Sequence, residues 1–156
     1  VNGPGWIEKL DLAPHPEGGY FKRIYTAAAT QASVAGERPL CTSIYYLLDR
    51  QQPLGRMHRN RSDILHFFLD GGPIEYLLLD GEGGLRRVLL GPRHERFLAV
   101  PGGCWKASQL LEGASHALVA EVVTPGFDYA DHQFLDAVQL RREHAQHWSE
   151  LQRFVS

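Results

Sequence analysis

From Leu40 to Val123 the chain alternates short apolar runs with turn residues and shows no helical period. The runs are LCTSIYYLLD, GRMHRN, DILHFFLD, PIEYLLLD, LRRVLLG, RFLAV, CWKASQLL and ALVAEVV. Between them DRQQP, DGGP, DGEGG, GPRH, PGG and EGAS supply the Gly, Pro and Asp that tight turns require. Strands at this spacing predict an antiparallel sandwich or barrel. Upstream, PHPEGGYFKRIYT reads as a loop feeding a strand at about 20–26, and the Ala- and Gln-containing stretch 27–36 reads as an exposed loop. At the front, Asn2 as cap, Pro4 in the first turn and Trp6, Ile7 and Leu10 on one side predict a short helix over about 4–12. After the irregular TPGFDYADHQ, Leu140, His144, Trp148, Leu151 and Val155 recur at helical intervals and predict a terminal helix over about 138–155. The reading is mainly β: one domain over 1–156, a barrel at about 18–136, and short N-terminal and C-terminal helices. No repeat, linker or low-complexity segment divides it.

Strand alternation also predicts a pocket. His58 and Asn60 share one face of their strand, and Arg59 and Arg61 occupy the other, where burial without a partner is disfavoured, so His58 and Asn60 point inward. In DILHFFLD the same logic groups Ile64, His66 and Phe68. In CWKASQLL it groups Cys104, Lys106, Ser108 and Leu110, and Lys106 is one of only three lysines in the chain. Glu121 is the lone charge of an apolar strand, so it is either paired inside or placed at the barrel mouth. Tyr20, Phe21, Phe68 and Trp105 are candidates for a ligand wall, although strand aromatics more often build core. The HPEGG turn carries Glu17 toward a pocket rim, or needs its glycines only for the turn itself. His132, His144 and His147 lie near or on the terminal helix and read as a solvated or packing face.

Composition removes several classes. A formal net charge of −2 and only short arginine pairs at 86–87 and 141–142 give no basic tract, so nucleic acid is not an expected partner. The apolar runs are strand-length, too short for a membrane helix, and no basic segment precedes an apolar leader; a cytoplasmic protein without membrane contact is expected. Cys41 and Cys104 stand far apart without a CxxC pair, so buried thiols are expected rather than a disulfide or zinc framework.

HPEGGYF at 15–21, HRNRSDILHFF at 58–68, PGGCWKAS at 101–108 and TPGFDY at 124–129 resemble the Cupin_5 family, formerly DUF985, over roughly residues 5–135. The resemblance implies a cupin-type antiparallel β-barrel, the double-stranded β-helix or small jelly roll, usually a homodimer, with a ligand pocket in its centre. It implies little about chemistry, because cupins include enzymes and binding proteins. The general cupin metal pattern is His-x-His, a following Glu, and a later His after a Pro-x-Gly turn. Here His58 keeps the first position, Asn60 replaces the second histidine, Ile64 falls near the glutamate, and Lys106 stands at the last. No metal is therefore favoured. If a divalent metal is present, His58, His66 and Glu121 are the expected variant ligands.

The leading expectation is a metal-independent enzyme moving a proton on a small polar or anionic metabolite. His58 and His66 would act as acid and base, Lys106 would hold an anionic oxygen, and Glu121 would orient its neighbour. Asn60, Glu17, Tyr20, Phe68, Ser108 and Asp128 are the candidates for substrate contact; Asp128 otherwise reads as a loop cap. A simple buried Lys106–Glu121 ion pair is the plainer alternative for those two residues. The other functional classes are a metal-dependent dioxygenase or isomerase, and a ligand-binding module without turnover.

Overall fold

A computed structural model describes residues 5–156; Asn2 and Pro4, read above as cap and first turn, lie outside the described residues. The chain runs through α1 (Trp6–Leu10), β1 (Ala13–Pro14), β2 (Tyr20–Thr26), β3 (Thr30–Ser33), β4 (Gly36–Pro39), β5 (Thr42–Asp49), β6 (Leu54–Arg59) and β7 (Asp63–Gly71). It continues through β8 (Ile74–Leu79), β9 (Leu85–Leu90), β10 (Phe97–Val100), β11 (Trp105–Leu110), β12 (His116–Thr124), β13 (Gln133–Phe134), α2 (Ala137–Glu143) and α3 (Trp148–Leu151). One sheet has the order β1-β2-β5-β12-β7-β10, the other β13-β6-β11-β8-β9, with antiparallel pairing throughout.

The period-2 pattern decides what each sheet face meets. Tyr46, Leu48, Phe68, Ala117 and Val119 point from the six-stranded sheet onto Ile74, Tyr76 and Leu78 of the other and fill one end of the barrel. The alternating residues Leu47 and Leu118 face outward, where Leu12 and the apolar side of α1 cover them. On the back of the five-stranded sheet Met57, Leu77, Leu79 and Trp105 lie under Leu140, Leu151 and Phe154. Each such side chain contributes about 1.5–3 kcal/mol when fully buried, which fastens the C-terminal segment to the barrel.

Two expectations are corrected. The stretch 27–36 is no plain loop: it holds β3 and the start of β4, whose hairpin turns at Gly36 with φ +118°. The helix expected over 138–155 is broken into α2, single 3-10 turns at Ala145–His147 and Gln152–Phe154, and α3. The breaks re-aim the chain between its anchors, so that Leu140, Leu151 and Phe154 all pack on the back of the sheet. Cys41 and Cys104 are free thiols. No helix among the described residues is long and apolar enough to cross a membrane.

Candidate active site

At the end of the barrel not filled by core lies a cavity of about 120 Å³. Phe21, Ile44, Ile64, Val123 and Phe127 make its apolar wall, and Glu17, His58, Asn60, Glu121 and His132 bring polar atoms to it. Glu17 arrives through the HPEGG turn, closed by His15 N–H on the Gly19 carbonyl at 2.9 Å and Gly18 N–H on the His15 carbonyl at 3.0 Å. Gly18 has φ +99°, and a Cβ there would collide with the Leu54 carbonyl, so only glycine lets the turn lie against β6. Arg56 N–H donates to the Glu17 carbonyl at 2.6 Å and pins the contact. The result sets Glu17 Oε2 3.0 Å from His58 Nε2, with both residues buried.

That contact fixes a proton. His58 Nδ1 lies 2.7 Å from the Arg56 carbonyl, which only accepts, so Nδ1 carries a hydrogen and Nε2 of the neutral ring is a bare lone pair. A carboxylate oxygen 3.0 Å from that lone pair is favourable only with one proton between them. Burial, reinforced by Lys106, drives His58 down to about 3, while burial pushes the Glu17 carboxyl up. Burial thus favours the proton on Glu17 over His58, as a neutral acid against a neutral imidazole is the pair that costs least to keep out of water.

Behind this pair lies a second group. Lys106 Nζ is 2.8 Å from His66 Nε2 and 3.4 Å from Glu121 Oε1, with all three residues buried. His66 Nδ1 donates to the Leu98 carbonyl at 3.1 Å, so Nε2 accepts from Lys106 and both ring nitrogens are engaged. Burial and then Lys106 hold His66 well below its ordinary value. Burial raises Glu121 against the opposing pull of Lys106. Glu121 lines the cavity, whereas Lys106 and His66 are not among its lining residues.

The other candidates divide. Asn60 lines the cavity at the end of β6. Tyr20 packs with Leu12 and Leu47 outside the six-stranded sheet, and Phe68 belongs to the core. Ser108 is buried where its Oγ closely abuts Gly55, off the cavity wall. Asp128 accepts from Ala130 N–H at 2.8 Å and lies 3.7 Å from Arg38, the geometry of a loop cap.

His132 is the principal correction. It does not sit on a solvated or helix-packing face: its ring stacks on His58 with centroids 5.1 Å apart, and burial lowers it to about 4. The cause is β13, which pairs Gln133 with Arg59 and Phe134 with His58 and so sets the preceding residue beside the cavity. His15, Arg23, Phe127 and Tyr129 also line it. His15 belongs to a motif noticed in the sequence and Arg23 alternates with Phe21 along β2; nothing local marks His132.

The ordinary cupin metal set does not fit these residues. Ile64 has no lone pair, and the Lys106 ammonium is committed to His66 and Glu121. Nor does the structure gather His58, His66 and Glu121 as one ligand set. Among the described residues, the three donors brought within 4.8 Å of one another are those of Glu17, His58 and His132.

The Cupin_5 sequence model, described as "Cupin superfamily (DUF985)", matches residues 5–135. The chain belongs to the Cupin_5 family. This cupin is 36% identical over 147 residues to the uncharacterized protein YML079W of Saccharomyces cerevisiae, covering 83% of this chain and 73% of that protein. Its fold superposes on a hypothetical protein from Leishmania major with TM-score 0.92 and 29% identity over 99% of both chains. Protein SO0799 of Shewanella oneidensis gives 0.90 and 26% over 100% and 98%. Oxalate decarboxylase of Bacillus subtilis shares the fold alone, with TM-score 0.62, 16% identity, and 91% of this chain against 38% of that one.

Proposed function

We propose that this cupin is a small-molecule enzyme that moves a proton without a metal, on a polar or anionic metabolite held in the barrel, as in isomerisation, epimerisation, elimination or cyclisation. The observation that carries the reading is the 3.0 Å contact between Glu17 Oε2 and His58 Nε2 at the wall of a cavity whose apolar side is Phe21, Ile44, Ile64, Val123 and Phe127. An acid kept protonated by burial beside a neutral imidazole suits general acid–base work. With a carbonyl substrate, Glu17 turns its proton from His58 Nε2 to the carbonyl oxygen, and the freed Nε2 lone pair takes the proton from the adjacent carbon. An enol, a carboxylate and an imidazolium result, and return of the protons at other positions completes the rearrangement. The test is incubation with small keto and hydroxy acids in D₂O, followed by NMR. Deuterium should enter at carbon with the intact protein and not with Glu17→Gln or His58→Ala. Tight binding of a metabolite with no exchange and no conversion would assign a non-catalytic binding protein instead.

One observation favours a second reading. Glu17, His58 and His132 converge, and His132 Nε2 has no hydrogen-bond partner. Imidazole and carboxylate donors suit zinc, manganese or iron, and a cation there would polarise a substrate oxygen as a Lewis acid. Equilibrium dialysis against Zn²⁺, Mn²⁺ and Fe²⁺ decides it: stoichiometric uptake that disappears in His132→Ala would establish this reading, and no uptake would retire it.

A further inference from the structure

A second concavity adjoins the cavity. It is an open groove of about 460 Å³ lined by residues that include Arg59, Arg61, Asp131 and Gln133, and it shares Asn60 and His132 with the inner cavity. Four buried side-chain polar atoms of the described residues lack a partner, and two of them, Asn60 Oδ1 and His132 Nε2, belong to these shared residues. Asn60 is only 7% exposed, so its bare acceptor is costly unless a donor comes from outside the protein.

The groove beyond is cationic. Its one carboxylate, Asp131, is already held by Arg38, with Nε to Oδ2 at 2.8 Å and Nη2 to Oδ1 at 3.1 Å. Arg61 lies 3.6 Å from Asp131 and is largely exposed, so its charge remains available. Arg59 is set in place: its guanidinium lies 4.2 Å over Trp105 and bonds Gln133 Oε1 at 3.1 and 2.9 Å through Nε and Nη2. Its Nη1 has no protein partner among the described residues. Two guanidinium groups, one of them preorganised, suit a doubly charged oxyanion.

We infer that the ligand is a phosphate monoester of a small hydroxylated compound, whose hydroxyl donates to Asn60 Oδ1 in the inner cavity and whose phosphate lies outside, between Arg59 and Arg61. The inference deepens the proposed function by naming its substrate class, and it rests on that reading only in taking the inner cavity as the place of reaction.

The test is calorimetric titration of glycerol 3-phosphate, erythritol 4-phosphate and ribose 5-phosphate, each beside its dephosphorylated counterpart and inorganic phosphate. It is run on the intact protein and on Glu17→Gln. At least one ester should bind on the order of tenfold more tightly than both its counterpart and phosphate, in both proteins. Arg61→Ala should remove that margin while leaving the weak binding of the counterpart unchanged, and Asn60→Leu should weaken both. No binding by any ester, equal binding of ester and counterpart, or an ester no tighter than inorganic phosphate overturns the inference, as does an unaltered margin in Arg61→Ala. Because binding is also read in Glu17→Gln, a preference that persists there stands even if the proton-transfer reading fails.

Discussion

Glu17 and His58, 41 positions apart in sequence, meet at 3.0 Å because a glycine-only turn lies flat against the strand that carries His58. Everything proposed about reactivity begins from that contact, and it can be measured directly. The Glu17 carboxyl should titrate above the usual 4.5 when followed by carbon NMR, since burial raises it. A midpoint at or below 4.5 would place the proton elsewhere and remove the acid.

Gly18→Ala tests how that contact is built. A left-handed φ of +99° and a methyl group driven into the Leu54 carbonyl should together cost about 1–3 kcal/mol. The lost stability should be accompanied by a His58 ring signal that no longer reports Glu17. A variant as stable as the parent, with that signal unchanged, would mean that the turn does not hold the acid in place.

Lys106 separates two roles in one experiment. Paired as observed with His66 and Glu121, it neutralises a buried carboxylate, so Lys106→Met should cost about 3–5 kcal/mol through the charge left behind. Adding Glu121→Gln should restore much of the loss, as urea unfolding of the single and double variants will show. If the single variant is fully stable and loses only ligand affinity, Lys106 serves the ligand rather than the fold.

Acid should weaken the protein. His58 at about 3, His132 at about 4, and His15 and His66 all lie below the 6.5 of the unfolded chain, chiefly through burial. Below pH 6.5 the unfolded chain thus binds more protons, and stability that is complete above 6.5 declines as pH falls toward the folded values. Glu17 and Glu121 act oppositely: their raised values add stability that is complete below 4.5 and lost as pH rises through them. Four imidazoles against two carboxyls should leave a net fall in the unfolding midpoint between pH 6.5 and 4.5, with a shallower slope in His132→Gln. A flat profile in the parent would contradict the buried neutral imidazoles.

The sequence by itself determined the barrel and much of its interior. A period of two cannot be satisfied with one face buried unless His58, Asn60, Ile64, His66 and Phe68 point together, and turn residues at regular intervals leave little choice but antiparallel strands. The pairing of Lys106 with Glu121 is legible only as one of two choices, since a lone ammonium on an apolar strand can meet either a lone carboxylate or an anionic ligand. Tertiary structure decided which of these inward residues reach open space. Alternation gives a face but no depth, so His66 and Phe68 fall in the packed part of the barrel while Asn60 and Glu121 reach the cavity. It also decided Glu17 and His132, whose positions depend on a turn folded onto a distant strand and on the two-residue pairing of β13 with β6. Neither contact leaves a period in the chain, since each joins segments whose separation in sequence bears no relation to their distance in the fold.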